Sequence, residues 1–236
     1  MGLRALLAAA VAGSFAGSAA ADGPKKVTWQ PAYSGSCEKC QLANKHLSYW
    51  DLAGANFPDA DLSHATLLGV TAAGADFSNA VAPNANFTRA NLQSARFEGA
   101  DLGHAVLHGA DAAGAHFAGA TMDRADLRRA ILIGANLEGV SAVSVKAESA
   151  DFSGANCTGA IFREAKLRRA VFDGAILTSA TFDGADIAGA SFRSARLIDA
   201  DLSGAAGYEN ADFSDACGSE TTQTPPSLDL PLCATN

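Results

Sequence analysis

The segment "AVFDGAILTSATFDGADIAGASF", residues 170–192, repeats with a period that no helix or flat strand has. Alanine returns at every fifth position, from Ala170 to Ala190, and phenylalanine returns at every tenth, at Phe172, Phe182 and Phe192. An α-helix repeats every 3.6 residues and an extended strand every 2, so neither accounts for a strict period of five. The period therefore indicates a repeat architecture, in which each short unit is one structural element.

The same period runs through most of the chain. A central residue, usually large and apolar, recurs at every fifth position from Leu42 to Leu202, which makes thirty-three consecutive units without an insertion. A flanking residue, almost always alanine, stands two positions before each central residue. Where the flanking residue is Val70, Val140 or Val145, the central residue is an alanine. Because this exchange roughly conserves volume, both positions are expected to point inward.

The units match a known consensus closely. The stretches "GANFPDADLSHATL" and "RANLQSARFEGADLGHAVL" resemble the A-(D/N)-L-x-x repeats of the pentapeptide-repeat family, and the resemblance extends from Leu42 to Leu202. It implies an all-β fold, a right-handed quadrilateral β-solenoid with four pentapeptides per coil, and hence about eight coils. At the usual strand spacing of about 4.8 Å, the rod would be roughly 40 Å long. The Asp or Asn that precedes many central residues suits the tight turns of such a coil.

Twenty residues per coil would stack central residues that are twenty positions apart. Three phenylalanine columns are then expected: Phe57, Phe77, Phe97 and Phe117; Phe152, Phe172 and Phe192; and, on the side opposite the second, Phe162 and Phe182. Phe87 and Phe213 are expected to fall outside these columns. Stacked rings bury a large apolar area, so we interpret the columns as structural.

The two ends of the chain differ from the repeats. Residues 1–21 combine one positive charge at Arg4, a short apolar stretch and Ala19-Ala20-Ala21, which is typical of a cleaved signal peptide. Residues 22–36 are then an N-terminal extension, 37–206 the solenoid, and 207–236 a C-terminal cap, where the motif restarts one residue late at Ala211. No later apolar run is long enough to span a membrane. We therefore expect an exported protein, periplasmic or secreted, with a mature charge of about −9.

Four of the five cysteines lie near the ends of the repeat. Cys37 and Cys40 occupy inward positions of the first, incomplete coil, and Cys217 and Cys233 flank the tail. In an oxidising compartment we expect two disulfides, Cys37–Cys40 and Cys217–Cys233, while Cys157 packs in the core. The stretch "CEKC" is also compatible with a redox pair or a metal site, although the residues around it are not those of a thioredoxin-like motif. Free thiols are the third alternative.

Two outer faces carry candidate interaction residues. The face of the units centred on residues 47, 67, 87 and onward to 187 carries a basic set: Arg89, Arg128, Arg129, Lys146, Lys166, Arg168 and Arg169. Such a strip could bind an anionic polymer. Asp126 and Glu148 are interleaved with it, however, so a partly paired, solvated charge ladder is the favoured interpretation. The next face presents Ile131, Ile133 and Val171, which could pack against a partner protein or a second copy.

Other polar residues give little sign of catalysis. His64 and His104 are expected in one column but two coils apart, too far to share a metal ion, and we interpret them as surface residues. The many Asp and Ser residues follow from the repeat consensus. We therefore predict no catalytic, cofactor-binding or metal-binding residues, no small-molecule substrate and no nucleic-acid partner.

The sequence predicts a non-enzymatic, exported structural or protein-interaction module whose partner is unknown and could be a second copy of the chain. Two alternatives remain open. Cytosolic members of the family that this chain resembles mimic DNA and bind type II topoisomerases, but an export signal and a basic strip both argue against that function here. The other alternative is a redox or metal protein that uses Cys37 and Cys40.

Overall fold

The computed structural model describes residues 33–234, so the predicted signal peptide at 1–21 lies outside the described residues. Parallel bridges join one residue of every pentapeptide to the residue twenty positions further on, from Ser36 with Asn56 to Asp186 with Ala206. Four pentapeptides thus complete one coil. The chain forms a right-handed quadrilateral β-solenoid of about eight coils, and the fold class expected from the resemblance is confirmed. Within residues 33–234, each wall contact is a one-residue bridge, and the single helix is a 3₁₀ turn at Tyr208–Asn210.

All five backbone N–H groups of the unit Asp101–Ala105 have hydrogen-bond partners. The bridging residue Asp101 donates to Ala80 O of the previous coil, and the central residue Leu102 donates to Thr121 O of the next. The fourth and fifth residues donate to the next coil and back across the turn, at 2.9 Å each. The remaining donor, Gly103 N–H, bonds to Asp101 Oδ1 at 2.9 Å. An Asp or Asn in the bridging position therefore caps the one N–H that the coil leaves free.

The corners of the coil are tight turns with one residue in the left-handed region. In thirty-three consecutive units, from Lys39 to Asp199, the fourth residue has a φ between 54° and 70°. The hydrogen bond across each turn, together with this positive φ, matches a type II turn. Glycine pays no steric penalty at this position, which explains the frequent glycine one place before the flanking alanine. Asn, Asp and Ser also occur there, since short polar side chains tolerate this conformation better than bulky ones do.

The interior of the coil is filled by the central and flanking side chains. From Leu52 to Leu202 they are at most 1% exposed, and no polar or charged side chain among residues 33–234 is buried. The first phenylalanine column stacks with ring centroids 5.0–5.6 Å apart, the second at 4.7–5.0 Å, and Phe162 lies 5.3 Å from Phe182. Opposite columns meet edge to face, as Phe162 does with Phe152 and Phe172. Phe87 fills the wall opposite Phe77 and Phe97 in the same way.

At the C-terminal end the coils remain stacked, although bridged residues are no longer twenty positions apart. Gly207 turns the chain with a φ of 75°, and the 3₁₀ turn that follows takes up one additional residue. Asp212 then bridges to Ser191, and Phe213 stacks on Phe192. The expectation that Phe213 lies outside the columns is therefore wrong, because the short helix absorbs the insertion and restores the register. Further bridges, Cys217 with Arg196 and Gln223 with Asp201, carry the wall into the tail.

Candidate interaction surfaces

The outward residues lie on four flat faces, of which two carry the candidate sites. We call the face of bridging residues 46, 66, 86 and onward to 186 the basic face. The face of bridging residues 51, 71, 91 and onward to 191 is called the isoleucine face. Within each face, residues twenty positions apart form a column, since their coils are directly bridged. Because the core holds no polar side chain in residues 33–234, the charged and polar side chains of this region lie on its outer surface.

The charges of the basic face are only partly paired. One column reads Asp126, Lys146, Lys166 and Asp186, with a bridge between each successive pair. Arg128 donates to both oxygens of Asp126, at 2.8 and 2.5 Å, and this hydrogen bonding holds the pKa of the Asp126 carboxyl below its usual range. At the other end, Arg168 Nη1 lies 3.3 Å from Asp186 Oδ2. Two arginines of the basic set are thereby neutralised by neighbouring carboxylates.

Five exposed cations of this face have no such partner within residues 33–234, and four of them lie in three successive coils. Among the described residues, Arg129, Lys146, Lys166 and Arg169 make no ion pair within 4.0 Å, and we call them the unpaired cations. Arg89 lies two coils before Arg129 in the same column and is exposed as well. Glu148 is a half-buried residue in the coil of Lys146, and its inward-facing atom Oε2 has no hydrogen-bond partner among residues 33–234. The basic face is thus a mixed surface with a local excess of positive charge.

The apolar surface of the isoleucine face is short. Ile131 is 39% exposed and Ile133 is 45% exposed, but Ile131 bridges to Asp111 on one side and Asp151 on the other. Asp111 accepts a hydrogen bond of 2.7 Å from Gln93. Val171 is half-buried, two coils beyond Ile131. Two isoleucines, rather than a continuous strip, therefore form the apolar patch of this face.

Two carboxylates connect successive coils in a way that the sequence reasoning missed. Asp123 accepts hydrogen bonds from Ser141 Oγ and Val143 N–H of the next coil, at 2.6 and 3.0 Å. Asp173 does the same for the hydroxyl of Ser191 and for the backbone N–H of Arg193, whose guanidinium it also binds at 2.8 Å. In both places the bridging residue is serine instead of Asp or Asn. An Asp in the third position of a unit, followed eighteen residues later by a bridging serine, is the signal that could have revealed them.

The cysteine pairs lie at the two ends of the described solenoid. The Cα atoms are 5.5 Å apart in Cys37 and Cys40 and 4.8 Å apart in Cys217 and Cys233, and each pair has its sulfur atoms at disulfide distance. Cys157 is buried in the column between Leu137 and Leu177, and burial raises the pKa of its thiol to about 12. Neither His64 nor His104 joins a cluster of three or more potential metal ligands within residues 33–234.

A shallow, largely apolar groove of about 320 Å³ lies beside the C-terminal cysteine pair. It is lined by Ile198, Gly218, Ser219, Glu220, Leu232 and Cys233.

No helix in residues 33–234 is long and apolar enough to cross a membrane.

A comparison with protein families agrees with this geometry. The model of pentapeptide repeats matches residues 40–79, 73–109, 105–141, 150–187 and 175–206, in eight copies. The chain belongs to the pentapeptide-repeat family. No curated protein sequence matches this pentapeptide-repeat protein.

Solved structures similar to this pentapeptide-repeat protein share little sequence with it. HetL, a pentapeptide repeat protein involved in heterocyst differentiation regulation from the cyanobacterium Nostoc sp. strain PCC 7120, is 26% identical. The match covers 78% of this chain and 86% of HetL, with a TM-score of 0.40. Full-length QnrB1, a plasmid-mediated fluoroquinolone resistance protein, is 20% identical over 78% of this chain and 94% of its own, with a TM-score of 0.41. A protein from the Arabidopsis thaliana thylakoid lumen is 24% identical, covers 43% and 64% of the two chains, and has a TM-score of 0.33.

Proposed function

We propose that this pentapeptide-repeat protein is an exported, non-enzymatic module that binds a partner protein through its flat outer faces. The proposal rests on how the side chains are distributed between the interior and the outer faces. Apolar side chains fill the interior from Leu52 to Leu202, and the outward side chains stand in straight columns on a regular wall. A wall of this kind presents many side chains at fixed spacing to another surface. Members of the family are in general structural or interaction modules.

Export is supported by both ends of the chain. The N-terminal segment, residues 1–21, has the pattern of a signal peptide. The two cysteine pairs lie where a solenoid is most exposed to fraying, at its first coil and at its tail. Disulfides persist in exported proteins and are rare in the cytosol. We therefore assign the Cys37–Cys40 and Cys217–Cys233 pairs as disulfides of the exported form.

The patch of Ile131 and Ile133 is the proposed site of protein contact. Between residues 91 and 134, the isoleucine face carries one charged residue, Asp111, and Gln93 donates a hydrogen bond to it. The two isoleucines are therefore surrounded by uncharged or hydrogen-bonded groups, an arrangement that lowers the desolvation cost of contact. A partner protein or a second copy of the chain would cover them.

Export can be tested by following the mass and location of the tagged full chain. The expected product begins at Asp22 and is found outside the cytoplasm. A matched variant, Leu6→Arg with Leu7→Arg, interrupts the apolar stretch and should leave the full-length chain in the cytoplasm. If the unaltered chain stays in the cytoplasm with its N-terminal segment still attached, export is wrong, and binding to a cytoplasmic topoisomerase becomes the better hypothesis.

The contact site can be tested with a photo-crosslinking amino acid at position 133, with position 121 on the opposite face as the control. We expect one protein adduct from position 133 in cells, none from position 121, and loss of the adduct from position 133 in the variant Ile131→Ser. The matched control, Ile161→Ser, removes an isoleucine that is 37% exposed on another face and should leave the adduct unchanged. Equal adducts from both crosslinking positions, or an adduct that survives the first variant, would contradict this site.

A further inference from the structure

The basic face has a feature that the proposed contact at Ile131 and Ile133 does not use. Each of three consecutive coils carries at least one unpaired cation: Arg129 in the first, Lys146 in the second, and Lys166 with Arg169 in the third. Adjacent coils are about 4.8 Å apart, so the four cations extend over roughly 10 Å along the rod axis. Arg124 and Arg163, on the adjoining face near the shared edge, add positive charge to the same coils. The excess charge therefore forms a line that runs along the rod.

A carboxylate lies at each end of this line of cations. In the bridging column, Lys146 and Lys166 are followed by Asp186 and preceded by Asp126. Elsewhere the protein is acidic. The C-terminal segment after Arg196 holds seven acidic residues and no Lys or Arg: Asp199, Asp201, Glu209, Asp212, Asp215, Glu220 and Asp229. An extended negative surface, such as a membrane or a DNA duplex, is longer than this line and would reach past Asp126 and Asp186, whereas a short stretch of a single chain fits between them.

We infer that the unpaired cations bind a short stretch of an extended anionic polysaccharide that lies along the rod axis. Charge complementarity selects an anionic ligand, and the narrow line selects a single chain. One sugar residue of an extended polysaccharide is about as long as one coil, so successive acidic groups would meet successive coils. The flat wall leaves room for a chain to lie on the surface.

The carboxylate of Glu148 favours a sugar over a purely ionic polymer. It lies in the column between Arg128 and Arg168, yet those arginines pair with Asp126 and Asp186, and Glu148 Oε2 lacks a hydrogen-bond partner among the described residues. A buried carboxylate oxygen without a partner is costly, and rotation of this side chain would present it to a donor. Sugar hydroxyls donate hydrogen bonds, whereas ionised polyphosphate offers only acceptors. This surface depends on the proposed function only for its cellular setting, since an exported protein meets envelope and extracellular polysaccharides.

The test uses the mature chain, residues 22–236, and titrates it at low ionic strength with four probes: polygalacturonate, neutral dextran, long-chain inorganic polyphosphate and duplex DNA. We expect polygalacturonate to bind, dextran not to bind, and polyphosphate to bind more weakly. Added salt should weaken the binding, because the contact is mainly between exposed charges. Polyphosphate or duplex DNA binding as tightly as polygalacturonate would overturn the assignment to a polysaccharide, and the absence of polygalacturonate binding would overturn it as well.

Two variants that lose the same number of positive charges test whether polygalacturonate binds at the unpaired cations. The variant Arg129→Gln, Lys146→Gln, Lys166→Gln and Arg169→Gln should bind polygalacturonate about 30-fold more weakly, the sum of four modest exposed charge contacts. The control variant, Lys39→Gln, Lys45→Gln, Arg96→Gln and Arg196→Gln, removes four positive charges elsewhere and should lose less than about threefold. Circular dichroism melting curves establish that both variants are folded. Equal losses in the two variants would show that net charge alone drives the binding and would overturn the proposed site. Because the titration uses purified mature protein, its outcome does not depend on whether the cell exports the chain or on the isoleucine patch.

Discussion

Phe213 stacks face to face on Phe192, with ring centroids 4.9 Å apart and an angle of 4° between the ring planes, although it lies one position beyond the period of twenty. Elsewhere in the second column the period is kept, as from Phe172 to Phe192. The 3₁₀ turn Tyr208–Asn210 takes up the additional residue on the outside of the coil. Stacking is thus retained at the end of the rod, where Phe213 covers a ring that would otherwise face solvent.

Replacement of Phe213 by alanine should destabilise the last coil more than the rest of the rod. Phe213 is only partly buried, so the expected cost is about 2–3 kcal/mol, below the value for a fully buried phenylalanine. In a solenoid each coil contacts mainly its neighbours, and amide exchange should therefore accelerate in residues 190–223 and remain slow near Phe77. Hydrogen exchange with mass spectrometry measures this. Phe213→Leu, which keeps most of the apolar contact, is the control, and uniform acceleration along the chain in the alanine variant would contradict the local role.

The capping of turn N–H groups by bridging carboxylates gives a second prediction. Asp101→Ala removes the acceptor of Gly103 N–H and should lower the free energy of unfolding by about 1 kcal/mol. Asp101→Asn keeps an oxygen in the same place and should cost only a few tenths of that amount. Denaturant unfolding gives both values, and exchange of the Gly103 amide should be faster in the alanine variant only. If the two variants lose the same stability, then the charge of Asp101 matters and its hydrogen bond does not.

The residues of the interior could be predicted from the sequence because the period of five alone places them. The contacts on the surface follow no such period. A period of five places Leu102 and Ala105 inward whatever the other residues are, and the exchange of volume at Val140 and Ala142 shows the same constraint. The stacking of Phe213 could not be read from the period, since it depends on how the 3₁₀ turn absorbs one residue. The bonds of Asp173 to the next coil were missed because Asp173 and Arg193 occupy positions that the consensus leaves free, and Ser191 departs from the Asp or Asn of the consensus. The pairing of cations on the basic face could not be predicted either, because it depends on how far each side chain reaches towards a carboxylate.

The hydrogen bonds of Asp173 predict a loss of stability in acid at the C-terminal end. Partial burial opposes ionisation of this carboxyl, but hydrogen bonds from Ser191 and Arg193 outweigh that effect and lower its pKa below the ordinary 3.8. A group whose pKa is lowered in the folded state stabilises the fold above its unfolded pKa, and this contribution disappears as the pH falls through the folded-state value. Amide exchange in residues 191–214, corrected for its intrinsic pH dependence, should therefore show increased opening below about pH 3.8.

Two variants separate this effect from general acid unfolding. Asp173→Asn cannot ionise, so its C-terminal end should be less stable at pH 6 and should lose less additional stability between pH 5 and pH 2. Asp59→Asn removes an exposed carboxylate near the other end of the rod and should leave the C-terminal response unchanged. A steep acid transition at residues 191–214 that persists in Asp173→Asn would assign the effect to other carboxylates.

The five cysteines should fall into two classes when the protein, purified without reductant, is treated with an alkylating reagent. With the two proposed disulfides formed, the native, non-reduced protein should take up no label, because Cys157 is buried with a thiol pKa of about 12. In denaturant without reductant one label is expected, at Cys157, and after reduction five. Reduction should also destabilise the tail, because the Cys217–Cys233 bond closes a loop of sixteen residues, worth up to about 3 kcal/mol. Intact mass after alkylation counts the labels. Cys233→Ser should show two labels in denaturant and reproduce the loss of stability, whereas three labels in denatured wild-type protein would mean that one of the two pairs is not a disulfide.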